Sequence, residues 1–228
     1  MKFGVVIFPG SNCDMDIIYI LEKTMKQDVV KLWHKDTSLQ EVDFIILPGG
    51  FSYGDYLRSG AIAKFSPIMK EVVGFANAGG YVMGICNGFQ ILTESGLLPG
   101  ALLHNISHKF ICKNTYLKAC SKNTLVTNKY NDFPVKIPIA HAEGRYFAEE
   151  QTLASLIDND QILFKYCAQN GDITDEANPN GSSRNIAGIC NEERNVFGMM
   201  PHPERASDDE LNNEDGKILF DSILESIS

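Results

Sequence analysis

The chain has six cysteines and no C-x-x-C pair among them, which leaves a zinc ribbon or a thioredoxin-type redox site without support. Cys13, Cys86, Cys112, Cys120, Cys167 and Cys190 are scattered through 228 residues, so they do not read as a disulfide framework, and no metal site is expected. No apolar run approaches the length of a membrane span. No G-x-x-x-x-G-K-[ST] occurs, and no G-x-G-x-x-G follows a strand, so neither ATP nor a dinucleotide has a standard motif to bind it. Basic residues are in the minority, 20 against 29 acidic, for a net charge of -9, and no dense basic patch appears. A nucleic-acid partner is therefore not expected. Internal repeats, low-complexity tracts and linkers are missing too. The first residues read directly as a strand, without a charged leader and apolar signal region, and a cytoplasmic, reducing setting is the expectation.

What is present reads as alternation. With 44% hydrophobic residues, the length suits one large α/β domain over residues 1–228. Residues 2–8, 28–33 and 43–47 read as strands, with helical spacing of Ile17, Ile18, Leu21 and Met25 over residues 14–26. A helix over 67–78 stops at Gly79-Gly80, and the strand 81–85 leads into a helix over 88–95. This order predicts a doubly wound parallel sheet, whose sites lie beyond the carboxyl ends of its strands. Residues 111–117, 124–127 and 135–140 read as antiparallel strands added to that core, with further strands at 162–168, 186–190 and 196–200 and a closing helix at 217–227. The polar stretch 206–216 is the candidate for a mobile loop.

Chemistry enters at Gly84-Ile85-Cys86-Asn87-Gly88-Phe89-Gln90. Glycines two residues to either side of a cysteine, after an apolar strand and before a helix, have the form of a nucleophile elbow. A lone cysteine is often a small buried hydrophobe. The elbow spacing favours a nucleophile instead, at the positive end of a helix that stabilises thiolate. A thiol nucleophile needs a base, and the base needs a group to hold its ring. Pro201-His202-Pro203-Glu204-Arg205 follows another apolar strand and supplies both: if the segment is extended, His202 and Glu204 share a face, stiffened by Pro203. The plain alternative is that His202 caps the strand and Glu204 pairs with Arg205.

Attack on an amide also needs donors for the oxyanion. Leu47-Pro48-Gly49-Gly50-Phe51 is either a tight turn or such a donor turn, and the N–H of Asn87 is a second candidate. Residues 51–60 read equally as a substrate lid, a partner surface or an irregular loop. His141-Ala142-Glu143-Gly144-Arg145-Tyr146 reads as pocket lining or as a solvated turn with a Glu–Arg pair. His34, His104 and His108 have no companions and read as structural or surface residues.

The elbow and the His-Pro-Glu segment together resemble the class I (triad) glutamine amidotransferases. Phe8-Pro9-Gly10-Ser11-Asn12-Cys13-Asp14, residues 48–63, Asn178-Pro179-Asn180-Gly181-Ser182 and residues 198–205 narrow the resemblance to the branch that serves de novo purine synthesis as a glutaminase subunit. The resemblance spans nearly the whole chain. It implies a flavodoxin-like, mostly parallel sheet with a small antiparallel β addition, and a Cys86–His202–Glu204 triad that hydrolyses glutamine through a thioester. It also implies glutamine contacts at Gly49, Gly50, Phe51, Asn87 and Gln90. It further implies that this chain needs no cofactor. Its ammonia would pass to a large synthetase subunit that uses ATP and Mg, with a small third subunit in the complex. Ala142 and Arg194 stand where glycine is usual in that branch. The rivals are a stand-alone γ-glutamyl hydrolase, the glutaminase domain of another amidotransferase, and a non-catalytic subunit that kept the fold.

Overall fold

The computed structural model describes residues 1–227. In chain order the elements are β1 (Lys2–Ile7), α1 (Asp14–Tyr19), β2 (Asp28–Trp33), β3 (Phe44–Leu47), α2 (Pro67–Asn77), β4 (Tyr81–Ile85) and α3 (Asn87–Glu94). There follow β5 (Ala101–Leu103), β6 (Ile111–Ala119), β7 (Val135–His141), β8 (Arg145–Phe147), α4 (Glu150–Asp158), β9 (Ile162–Cys167), β10 (Ile186–Cys190), β11 (Val196–Met199) and α5 (Lys217–Ile227). Nine strands form one sheet in the order β2-β1-β3-β4-β11-β10-β9-β6-β7, and β5 pairs with β8 in a separate two-stranded ribbon.

The sheet has two halves of different character. From β2 to β11 every pairing is parallel, and helices cover it: α1 packs on β1, α2 on β4, and α3 on β3, β4 and β11. Strands covered on both faces need no polar alternation, and all four residues of β3 and of β11 are buried. From β11 to β7 every pairing is antiparallel. In β7, buried residues alternate with exposed or half-buried ones, as expected of a strand with one wet face.

The antiparallel half returns to the parallel half. The His202 N–H donates to the Pro138 carbonyl of β7 at 2.8 Å. Farther along that edge, Lys136 N–H donates to Asp215 Oδ2 at 2.6 Å, and Asn213 Nδ2 donates to the Lys136 carbonyl at 2.7 Å. The expected mobile loop is therefore tied down. It covers a strand edge that would otherwise present open backbone groups, and Gly216 N–H closes it on the Ala206 carbonyl at 2.6 Å.

Two local readings change. The helix expected over 14–26 widens after Tyr19 into a π-turn, Ile20–Thr24, closed by Met25 N–H on the Ile20 carbonyl at 2.8 Å, and Ile20 joins the buried face. Residues 124–127 form turns instead of a strand: the Thr124 and Thr127 hydroxyls bond each other at 2.6 Å, and Thr127 N–H bonds the Thr124 carbonyl at 3.1 Å. Local hydroxyl and backbone bonds outweigh β-branched propensity there. Helix α4 and the β5–β8 ribbon had no sequence expectation, because α4 buries only Leu153 and Leu156 and each ribbon strand has three residues.

Candidate active site

Strand β4 ends at Ile85 and helix α3 begins at Asn87, so Cys86 alone makes the turn. Its backbone has φ +50° and ψ -105°, a conformation that side-chain-bearing residues seldom adopt. The flanking glycines make room for it. A Cβ on Gly84 would lie 2.5 Å from backbone atoms of Gly88, and a Cβ on Gly88 would overlap the Leu47 carbonyl oxygen. The Cys86 N–H is held by the Met199 carbonyl at 2.7 Å, and its thiol lies 3.7 Å from the Ala140 carbonyl oxygen.

Sheet order explains why His202 arrives at the same place. β11 runs parallel to β4 with Met199 opposite Ile85, so the chain leaving β11 emerges beside the elbow. His202 and Glu204 are both buried, and His202 Nδ1 meets Glu204 Oε1 at 2.6 Å. The pairing expected from strand alternation is present, but its geometry differs. Residues Pro203–Ala206 form a 3₁₀ turn, and the carboxylate reaches back to the ring from inside it. Burial works against charge on the His202 ring. The Glu204 carboxylate, and then the nearby Cys86 and Cys13 sulfurs, outweigh it and hold the pKa well above its ordinary value. The ring therefore favours its protonated form. Among the described residues, His202 Nε2 and Glu204 Oε2 have no hydrogen-bond partner.

Arg205 does not pair with Glu204. Its Nε donates to Asp16 Oδ2 at 3.1 Å and its Nη2 to Cys13 Sγ at 3.1 Å. Cys13 is the neighbour that the motifs did not single out: its sulfur and ligand atoms of His202 and Glu204 all lie within 4.8 Å of one another. No spacing links residue 13 to residue 202, so only the packing of the turn after β1 against the turn after β11 brings them together.

The other expected site residues gather around the elbow with one exception. Gly49 lies against the imidazole, where a Cβ would come 2.7 Å from His202 Cε1. Gly50, at φ +135°, packs on Asn12. Asn87 ties the neighbouring loop to the elbow: its Oδ1 accepts from Ser52 N–H at 3.1 Å and Ser52 Oγ at 2.5 Å, and its Nδ2 donates to Gln90 Oε1 at 2.8 Å and Asp55 Oδ1 at 3.3 Å. Gln90 Nε2 in turn donates to the Glu143 carbonyl at 2.6 Å. Phe51 stands apart on the outer rim, 46% exposed, with its ring 6.3 Å from that of Phe110.

The polar cluster after β7 is not a solvated turn with a Glu–Arg pair. His141 is buried, Glu143 Oε2 accepts from Ser59 N–H at 3.1 Å, and Arg145 Nε donates to the His104 carbonyl at 3.0 Å. Residues 51–60 bend back through left-handed conformations at Tyr53, Asp55 and Leu57. Asp55 is half-buried, and its carboxyl is pushed up to about 6: burial and the Glu143 charge raise it against hydrogen bonds from Ser59 and Asn87. His34 is structural, as expected, with Nδ1 on Tyr53 Oη at 2.5 Å. Arg194 occupies its glycine-like position at φ +56°, with Nη2 donating to the Asn159 carbonyl at 3.0 Å.

Comparison with known proteins gives the following matches. The model of the CobB/CobQ-like glutamine amidotransferase domain matches residues 1–218. The phosphoribosylformylglycinamidine synthase subunit PurQ of Moorella thermoacetica is 56% identical over 226 residues, covering 99% of this chain and 96% of that protein. The subunit of the same name from Salinibacter ruber is 53% identical over 228 residues, covering 100% and 97%. In the structure of PurLQS from Thermotoga maritima, a chain 43% identical superposes with a TM-score of 0.86, covering 100% of this chain and 99% of that one. A glutamine amidotransferase from Thermotoga maritima, 14% identical with a TM-score of 0.59 over 99% and 91% of the two chains, shares the fold.

Proposed function

The chain belongs to the CobB/CobQ-like glutamine amidotransferase domain family, and on that footing we propose that it is the glutaminase subunit of phosphoribosylformylglycinamidine synthase. It releases ammonia from glutamine for an ATP-dependent synthetase that converts formylglycinamide ribonucleotide to the amidine in purine biosynthesis. The observation that carries the chemistry is an elbow cysteine beside a buried histidine that is paired with a carboxylate.

Cys86 attacks the side-chain amide carbon of glutamine as thiolate, and the carbonyl oxygen becomes an oxyanion. N–H groups of the Gly49-Gly50 turn and of Asn87 receive it. His202, already protonated, gives its proton to the amide nitrogen; the C–N bond breaks, ammonia leaves, and a γ-glutamyl thioester remains on Cys86. The ring is now neutral and takes a proton from water, which attacks the thioester. The tetrahedral adduct collapses to glutamate and expels the thiolate. Glu204 holds the ring through Nδ1, so that Nε2 exchanges the proton. Gln90 lines the glutamine site, and Phe51 reaches it only from the outer rim.

Residues 1–228 act as one glutaminase domain in the cytoplasm. The large synthetase subunit uses the ATP and Mg²⁺, a small third subunit completes the complex, and neither nucleic acid nor membrane takes part. The test is reconstitution with the large subunit. Cys86→Ala abolishes glutamine-dependent synthesis and leaves synthesis from supplied ammonia. Normal glutamine-dependent turnover by that variant would remove the nucleophile assignment. Full glutaminase rate in the isolated chain, unaffected by the synthetase, would make it a stand-alone γ-glutamyl hydrolase.

A further inference from the structure

A second histidine, on the strand whose Ala140 carbonyl approaches the thiol, has no part in the scheme above. His141 ends β7, one residue after the Ala140 carbonyl that approaches the Cys86 sulfur. It is 3% exposed. Burial, and then the charge on His202, push its pKa down to about 4, so its ring is neutral where the enzyme works.

Its hydrogen bonds fix which nitrogen carries the proton. The Asn105 amide nitrogen donates to the Lys109 and His141 carbonyls, both at 2.9 Å. Asn105 Oδ1 is therefore the accepting end. It receives Gly144 N–H at 3.1 Å and His141 Nδ1 at 3.1 Å. A neutral imidazole has one N–H, and here it must be Nδ1–H. His141 Nε2 then keeps a free lone pair, and no donor among the described residues reaches it. Asn180 Nδ2 serves the Gly144 carbonyl at 2.8 Å and the Tyr166 hydroxyl at 3.5 Å. Tyr166 is fully buried. A buried acceptor without a donor is destabilising unless a ligand supplies one.

Glutamine brings such a donor to this site: its amide nitrogen, which leaves as ammonia. We infer that His141 Nε2 accepts an N–H of that nitrogen, first in the bound amide and then in free ammonia. This rests on the glutaminase reading above. The proton that breaks the C–N bond still comes from His202; His141 gives none, because its one proton is on Nδ1 and engaged by Asn105. The nitrogen is held by a group that cannot turn it into ammonium, and it stays the nucleophile a synthetase requires.

The experiment compares glutamine with glutamate γ-methyl ester, which has the same acyl group but a leaving group without N–H, in the complex with the synthetase. His141→Asn keeps a donor for Asn105 and loses the Nε2 acceptor. His141→Gln returns a polar amide to the Nε2 position. His141→Asn should lower the amide-to-ester ratio of kcat/KM by about tenfold, the scale of one hydrogen bond lost to a buried group, and His141→Gln should restore most of it. A ratio unchanged from wild type, or equal loss of both substrates, overturns the inference. A second measurement needs no change at position 141. In the complex carrying Cys86→Ala, the ¹⁵N resonance of His141 Nε2 should move when glutamine binds, and a fixed resonance at saturation is equally fatal. Wild type that cleaves neither substrate would instead sink the glutaminase reading itself.

Discussion

Replacing Glu204 by glutamine removes one charge and almost no volume. The carboxylate is 2.6 Å from His202 Nδ1, with both side chains at most 1% exposed, so solvent does not screen the pair. Burial of the ring remains in the variant, and the largest influence favouring the imidazolium is gone. The ring then loses its proton at neutral pH, and the acid that expels ammonia is missing. Loss of a positioned general acid costs about 10²–10⁴ in rate, and we expect Glu204→Gln to fall in that range for glutamate release in the reconstituted complex. Stability follows with a definite sign. His202 has a raised native pKa, so the pair's contribution is complete below the unfolded value of about 6.5 and is lost as pH rises through the native value. Removing one partner of a buried pair costs about 3–5 kcal/mol, with less expected here because the ring can shed its proton. Urea unfolding should show the variant weakened most at pH 5.5 and least in alkali. Glutamate release within threefold of wild type, or a stability difference that grows with pH, would refute the argument.

Gly88→Ala should cost about 3 kcal/mol by urea unfolding, since the new methyl overlaps the Leu47 carbonyl and one packed element must move; a loss under 0.5 kcal/mol means that α3 and β3 are not in close contact. Asp55→Asn should raise thermal stability more at pH 8 than at pH 5. The native carboxyl holds its proton to about 6, so its ionisation, complete above that, weakens the fold; equal shifts at both values count against the burial of Asp55. A glutamine-shaped electrophile should label Cys86 and spare Cys167 and Cys190, whose thiols burial pushes up to about 11. Mass mapping that finds the label on exposed Cys112 or Cys120 would move the nucleophile elsewhere.

Local interactions were legible where one short stretch contains the whole cause. The elbow can be read from Gly84, Cys86 and Gly88 because strand, strained turn and helix lie within a few residues. His202 and Glu204 are two residues apart, so their pairing was visible even though a 3₁₀ turn, and not an extended strand, produces it. The buried parallel strands β3 and β11 announced themselves as apolar runs. Short elements such as α4 and the β5–β8 ribbon left too few buried residues to form a pattern, and the threonines near residue 124 carried a strand signal that their own hydroxyls overrode.

Distances across the chain were decided elsewhere. Nothing in residues 1–20 says that the Cys13 sulfur will lie near the His202 ring, and residues 141–146 leave pocket lining and a solvated turn equally open. Both outcomes depend on β11 lying next to β4, and on an antiparallel half-sheet that returns until Pro138 accepts the His202 N–H. Residue order supplied the reactive groups and their immediate partners, because those forces act over a few bonds. Which buried atoms face one another, and so which lone pair is left free, depends on the packing of segments far apart in the chain.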